Sequence, residues 1–194
     1  MQLYYTPGAC SLSPHIVALE AGIPVSLEKV DLKTHKTAKG EDYYAVNPKG
    51  YVPALVMDGG ELLTENVAIL SWIADQKPAL APKDGALARY RLLEMLAFIS
   101  TELHKQFKPF FGGGGDDAKK AARETITKRV DFLKSNMKGD FLFGDMSVAD
   151  CYLFTMLTWM NSPGVAIKHG LDGYFDGIKA RPSVQKAMKH EGLT

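Results

Sequence analysis

The sequence predicts a small α/β domain built on a mixed sheet, followed by an all-α domain. Three observations predict it. Residues 1–77 alternate short β-rich runs with helical ones. A stretch holding two prolines and a glycine then breaks the pattern. Beyond it, apolar residues recur at helical spacing to the end. The expected division is an α/β domain at 1–77, a linker at 78–85 and a helical domain at 86–194.

Taken in order, Gln2–Tyr5 reads as a strand stopped by Pro7-Gly8, and Leu12–Ala21 as a helix closed by Gly22. Leu12, Ile16, Val17 and Leu19 give that helix its apolar face. Residues 25–32 are β-rich and lead into a polar loop at 33–40. Residues 53–57 and 61–63 flank Asp58-Gly59-Gly60, a hairpin signal. Thr64 is expected to cap a helix over 65–75. A helix-linked strand pair favours parallel pairing and a hairpin demands antiparallel, so the sheet is mixed. After the linker, residues 86–107 are apolar on several faces and read as a central helix. Four glycines from Gly112 to Gly115 end that arm. The next helix starts near Asp116, with Ile126, Val130, Leu133 and Met137 at helical spacing. Residues 147–159 and 181–190 supply further helices, and Ser147 with Asp150 forms a capping-box pattern.

The 194 residues are 46% hydrophobic and 23% charged, enough to bury a real core. A net charge of +1 gives no general attraction to nucleic acid or to an anionic membrane, so neither is an expected partner. The opening residues lack a basic region leading into an apolar stretch, and the apolar run at 151–160 is about half a membrane span. Cys10 and Cys151 make neither a metal-ligand spacing nor a disulfide framework. A cytoplasmic location with reduced thiols and no bound metal is the resulting expectation.

Cys10 is the residue on which chemistry converges. It stands between a strand and a helix, where unpaired N–H groups and the helix dipole favour negative charge. Its thiol is therefore expected to ionise below the roughly 8.5 of a free cysteine. Gly8 permits a tight turn that exposes it. Ser13 occupies the place where a Cys-x-x-Cys oxidoreductase carries its second thiol, so this one-thiol site must use an external thiol. Glutathione is the abundant cytosolic one. Val52-Pro53 precedes the third strand, where a cis proline in a thioredoxin-like arrangement leaves the preceding backbone to an extended peptide ligand. Cys10 could instead be a small buried hydrophobe, but its turn position and missing partner argue otherwise. For Cys151, set among Tyr152, Leu153 and Phe154, inert core is the better reading.

These residues resemble a known family. Tyr4-Tyr5-Thr6-Pro7-Gly8-Ala9-Cys10-Ser11, Asn47-Pro48-Lys49-Gly50-Tyr51-Val52-Pro53, Leu63-Thr64-Glu65-Asn66 and Glu102-Leu103-His104-Lys105 are similar, in that order, to strings of the bacterial beta-class glutathione S-transferases. The resemblance implies a thioredoxin-like N-terminal domain, a helical C-terminal domain, a homodimer, and glutathione as co-substrate without a separate cofactor. It implies that Cys10 contacts the glutathione sulfur and can form a mixed disulfide with it. Val52, beside cis-Pro53, would pair its backbone with the cysteinyl part, and Glu65 and Asn66 would hold the γ-glutamyl end. His104 would face the sulfur, with Lys105 beside it. Where the family often carries lysine, this chain has His35, with Lys36 as a possible substitute for gripping the glycine carboxylate. Tyr51 replaces a common glutamine, Asn66 a common small residue, and Ala97 an asparagine of the catalytic region.

The function expected is conjugation of glutathione to small hydrophobic electrophiles bound between the domains, a detoxifying reaction. The alternative is a glutathione-dependent thiol-disulfide oxidoreductase or peroxidase with Cys10 as nucleophile. A third reading, a non-catalytic carrier, places apolar ligands near Phe107, Phe110 and Trp159. Glu65 alone could simply be a charge suited to a helix start, and His104 a surface or core histidine. His15 is expected to pack or hydrogen-bond, and Lys119, Lys120, Arg123, Lys128 and Arg129 to form a solvated face.

Overall fold

The computed structural model describes residues 1–83 and 85–193. Its first part runs β1 (Gln2–Tyr5), α1 (Leu12–Ala21), β2 (Ser26–Asp31), β3 (Lys36–Thr37), β4 (Ala54–Val56), β5 (Leu62–Thr64) and α2 (Asn66–Gln76). The strands lie in the order β3-β2-β1-β4-β5. β1 and β2 are parallel through Leu3↔Leu27, while β1–β4, β2–β3 and β4–β5 are antiparallel. The sheet is mixed, for the connection reasons given above, and the fold is thioredoxin-like.

Strand alternation sorts the side chains into two cores. Leu3 and Leu55 face α1 and α2, joining Leu12, Ile16, Ile69 and Ile73 in the main core. Tyr4, Val30, Val52 and Ala54 face the other way and pack with Tyr43 in a smaller cluster. That second cluster anchors the chain around Val52.

The second part comprises α3 (Ala88–Phe98), a π-helical turn (Ile99–Leu103), a 3-10 turn (His104–Phe107), α4 (Lys108–Phe111), α5 (Asp116–Ser135), α6 (Val148–Met160), α7 (Asp172–Lys179) and α8 (Pro182–His190). The expected central helix at 86–107 is corrected twice. It changes helix type after Phe98, and α3 buries only Leu92 and Leu96. The helix packed all round is α6, whose residues are buried from Val148 through Leu157. Its Asp150 accepts the Ser147 N–H at 2.8 Å, as the capping pattern requires, and also the Ser147 hydroxyl at 2.7 Å and the Leu142 N–H at 2.9 Å. On α5, Ile126, Val130 and Leu133 form the buried stripe.

Thr64 does not cap α2. It belongs to β5, and Glu65 takes the cap position with φ +69°. β3 escapes the sequence reading because two residues carry no alternation, and α7 because its glycines interrupt the period. The linker contains a short turn at Pro78–Leu80, and Asp84 lies outside the described residues. α1 joins the two parts by packing on α2, α6 and α8. Arg181 and Ser183 reinforce the joint by binding Glu20. Among the described residues no helix is long and apolar enough to cross a membrane.

Candidate active site at the Cys10 cleft

The turn carrying Cys10 closes on itself before the helix begins. Gly8 adopts φ +70°, where a side chain is strained. Ala9 N–H donates to Thr6 O at 3.0 Å, and buried Ser11 Oγ accepts the Thr6 N–H at 3.2 Å. The helical part then holds the turn from outside. Glu191 Oε2 accepts the Gly8 N–H at 2.9 Å, and Trp159 Nε1–H donates to Gly8 O at 2.7 Å. A Cβ on Gly8 would stand 3.4 Å from Leu193. Glu191 Oε1 also pairs with His15 Nδ1 at 2.8 Å, with side-chain exposures of 0% and 1%. His15 is thus a hydrogen-bonding residue beneath the loop.

Cys10 is half-buried and borders a cleft of about 550 Å³ with Leu32, Val52, Phe111, Trp159 and Leu193. Its Sγ donates to Val52 O at 3.5 Å. The expected easy ionisation is corrected. Burial pushes the thiol up to about 12, and the N–H groups of Cys10 and Ser11 pull the other way without prevailing. The helix start acts as argued from sequence, but desolvation is the larger effect. Cys151 is completely enclosed, as inert core should be.

Ser13 donates to Cys10 O at 2.8 Å and accepts from Asn66 Nδ2 at 2.8 Å. Asn66 therefore turns its amide inward, and its backbone N–H at the start of α2 is what remains for a ligand. Glu65, beside it, keeps its side chain half exposed. Its Oε1 accepts both Lys49 Nζ and the Tyr51 hydroxyl at 2.5 Å. Lys49 first, then Tyr51, hold its carboxyl below the ordinary range, with a smaller contribution from Lys105. Buried Asn47 and Tyr43 fix the Tyr51 carbonyl at 2.7 and 3.0 Å, and the following Val52–Pro53 peptide is cis. His35 has φ +51°, and its Nδ1–H donates to Gly50 O at 3.0 Å while the ring packs on Tyr44. Lys36 is exposed on edge strand β3.

His104 follows the π-helical turn. Its Nδ1 lies 2.7 Å from the Tyr152 hydroxyl, and its ring stands edge-on to Trp159 with centroids 4.9 Å apart. Burial, then Lys105, pushes it down to about 4, so the imidazole is neutral. Lys105 is exposed, and its field reaches both His104 and Glu65. Ala97 is exposed on α3, so the polar residue of this stretch that approaches Tyr152 is Ser100. Phe107 is fully buried, and the aromatic cleft wall is Phe111 and Trp159 rather than Phe107 and Phe110. Sequence reasoning missed the clamps Glu191 and Trp159, the Tyr152 phenol and Lys49. The first two meet Gly8 across 183 and 151 residues, a separation that leaves no local signal. Among the described residues no group of three His, Cys, Asp or Glu side chains is placed to hold a metal ion.

A thioredoxin-like domain with a single thiol at its first helix, facing a helical domain across an apolar cleft, defines the class of glutathione-dependent transferases. Residues 8–76 match the glutathione S-transferase N-terminal domain model and residues 87–182 the C-terminal domain model. The chain is 40% identical to glutathione S-transferase GstA of Escherichia coli O157:H7 over the whole of both chains. It superposes on the beta-class glutathione S-transferase of Sphingomonas chungbukensis with a TM-score of 0.92 and 48% identity, covering both chains fully. A sphingomonad glutathione S-transferase solved with glutathione matches at 47% identity and TM-score 0.91, again over both full chains. The chain belongs to the glutathione S-transferase family, in its bacterial beta class, and is a transferase enzyme.

Proposed function

We propose that the enzyme binds glutathione along the edge formed by Val52, Glu65 and the Cys10 turn, and conjugates it to a small hydrophobic electrophile. The observation that carries this reading is the single Cys10 thiol at the rim of an apolar cleft walled by Phe111 and Trp159. A neutral S–H donates a hydrogen bond to a glutathione thiolate and so favours its ionisation. Glu65 meets the γ-glutamyl ammonium, while the Asn66 N–H at the start of α2 meets the neighbouring carboxylate. Val52 offers its backbone to the cysteinyl part beside Pro53. His35, Lys36 and Tyr51 line the path towards the glycine carboxylate. His104 acts at the sulfur with Lys105 contributing positive charge, and Phe111 and Trp159 receive the electrophile. Glutathione is a co-substrate in this scheme, and no further cofactor takes part.

Conjugation is favoured over thiol–disulfide exchange because the cleft beside Cys10 is walled by Phe111, Trp159, Leu32 and Leu193, a lining suited to a hydrophobic electrophile. The enzyme works as a cytoplasmic homodimer with its domains divided at 78–85. Exposed Leu87, Tyr90 and Phe132 are apolar side chains of the helical part for a partner copy to cover.

Cys10→Ala tests the reading. Turnover of a halogenated aromatic should fall by about tenfold or more, and the pKa of bound glutathione should rise. Unchanged thiol ionisation with unchanged turnover sinks the assignment. Faster turnover of a disulfide than of the aromatic by the unaltered enzyme, with a glutathione adduct on Cys10, decides for exchange.

A further inference from the structure

Tyr152 has no part in the reaction outlined above, yet its hydroxyl is a completely buried polar group in α6 aimed at His104. The chemistry of the two groups makes the contact directional. A phenol is the stronger donor and an imidazole nitrogen the stronger acceptor, so at 2.7 Å the O–H···N arrangement prevails over its reverse. Ser100 and Asn66 lie close to the phenol as well. An Asn66 amide N–H is used on Ser13 Oγ at 2.8 Å, and Ser13 donates to Cys10 O at 2.8 Å. Asn66 thus lies between Tyr152 and the Cys10 turn.

The backbone supports the same arrangement. The helix changes to π geometry over Ile99–Leu103 immediately before His104, then tightens to 3-10. Such a bulge rotates the residues after it relative to an unbroken helix. Here it brings His104 against Tyr152 while Leu103 and Phe107 stay in the core. Tyr152 engages Nδ1 of the half-buried ring, which leaves Nε2 as the nitrogen for other partners.

We propose that Tyr152 is a positioning residue that locks His104 as the Nε2–H tautomer, so that the imidazole presents a hydrogen-bond donor to the cleft and not a base. This rests on the proposed role of His104 at the glutathione sulfur. A fixed donor stabilises a thiolate before and during attack, whereas the other tautomer would turn a lone pair towards the negative sulfur.

Nitrogen-15 NMR of the histidine-labelled enzyme reads the tautomer directly, without glutathione. The unaltered enzyme should show the His104 proton on Nε2, and Tyr152→Phe should show a mixture of both tautomers. With the fold checked by circular dichroism, Tyr152→Phe should lower kcat for a halogenated aromatic by about tenfold while KM for glutathione stays within about twofold, the scale of losing an orienting partner. A proton on Nδ1 in the unaltered enzyme overturns the proposal whether or not any variant folds. An unchanged tautomer in Tyr152→Phe overturns it equally. A tautomer that changes with no change in turnover overturns instead the role of His104 at the sulfur, and with it the purpose assigned to Tyr152.

Discussion

The two ends of the proposed glutathione site are built on different physical principles. At the thiol end, contacts are wholly or partly buried and cross from one domain to the other. Gly8 is held on both sides of its peptide by Glu191 and Trp159, and His15 completes the Glu191 carboxylate. At the other end, Glu65, Lys49 and Tyr51 meet at a solvent-exposed surface, within reach of one another in the α/β domain alone. The difference teaches where rigidity is needed. A sulfur must be placed to within a few tenths of an ångström of its donors, and buried hydrogen bonds supply that. An ammonium or carboxylate needs only opposite charge, which exposed side chains provide and exchange readily.

The sharpest way to break this contrast is Glu191→Ala. It would leave the partly buried Gly8 N–H and the buried His15 ring without their partner. Each buried group left without its hydrogen-bond partner costs roughly 1–3 kcal/mol. Urea unfolding should show a loss of that size, together with weaker glutathione turnover. A loss below about 1 kcal/mol would mean that the thiol end is not held by its buried pair.

His104 gives the next largest effect, and its sign follows from burial. The folded ring takes a proton only near pH 4, whereas the unfolded chain takes one near the ordinary 6.5. Its contribution is therefore intact above about pH 6.5 and is lost as pH falls from there towards 4, up to about 3 kcal/mol. Stability measured against pH should decline less steeply over that range in His104→Gln. Equal slopes would place the ring in water.

Trp159→Phe keeps the aromatic wall and deletes the indole donor to Gly8 O. About 1 kcal/mol of stability should be lost, the net worth of one hydrogen bond. The turn should also exchange its amide hydrogens faster, since Glu191 would hold it alone.

The same contrast explains what could be read from the sequence. The exposed end was legible because Asn47 through Pro53 is one continuous string and Glu65 follows a recognisable hairpin. The Cys10 turn was legible through Gly8 and the strand-to-helix switch. Its ionisation was not, because a helix start is a local feature while desolvation depends on what packs over the sulfur. Trp159 and Glu191 look like ordinary members of apolar and polar helical segments, and only the tertiary fold brings them to Gly8. The interruption of the helix at Ile99 has the same origin. Nothing in Ile99-Ser100-Thr101 forbids an α-helix, and the π turn follows from burying Leu103 and Phe107 together with His104 against α6.

The smallest effects belong at the exposed end, and Tyr51→Phe shows why they are still informative. The phenol donates to Glu65 Oε1 at 2.5 Å, but both side chains are roughly half in solvent. Folding stability should change by less than about 0.5 kcal/mol, since exposed polar pairs contribute little. Binding should respond differently. Lys49 and Tyr51 occupy the same carboxylate oxygen that is proposed to meet the γ-glutamyl ammonium, so a ligand must displace or share them. Deleting the phenol removes one competitor and leaves Lys49 in place. KM for glutathione should therefore shift by no more than about threefold, with a dependence on salt concentration that Glu191→Ala does not share. A Tyr51→Phe enzyme that unfolds early in urea would erase the contrast, because it would make the exposed end a structural clamp like the thiol end.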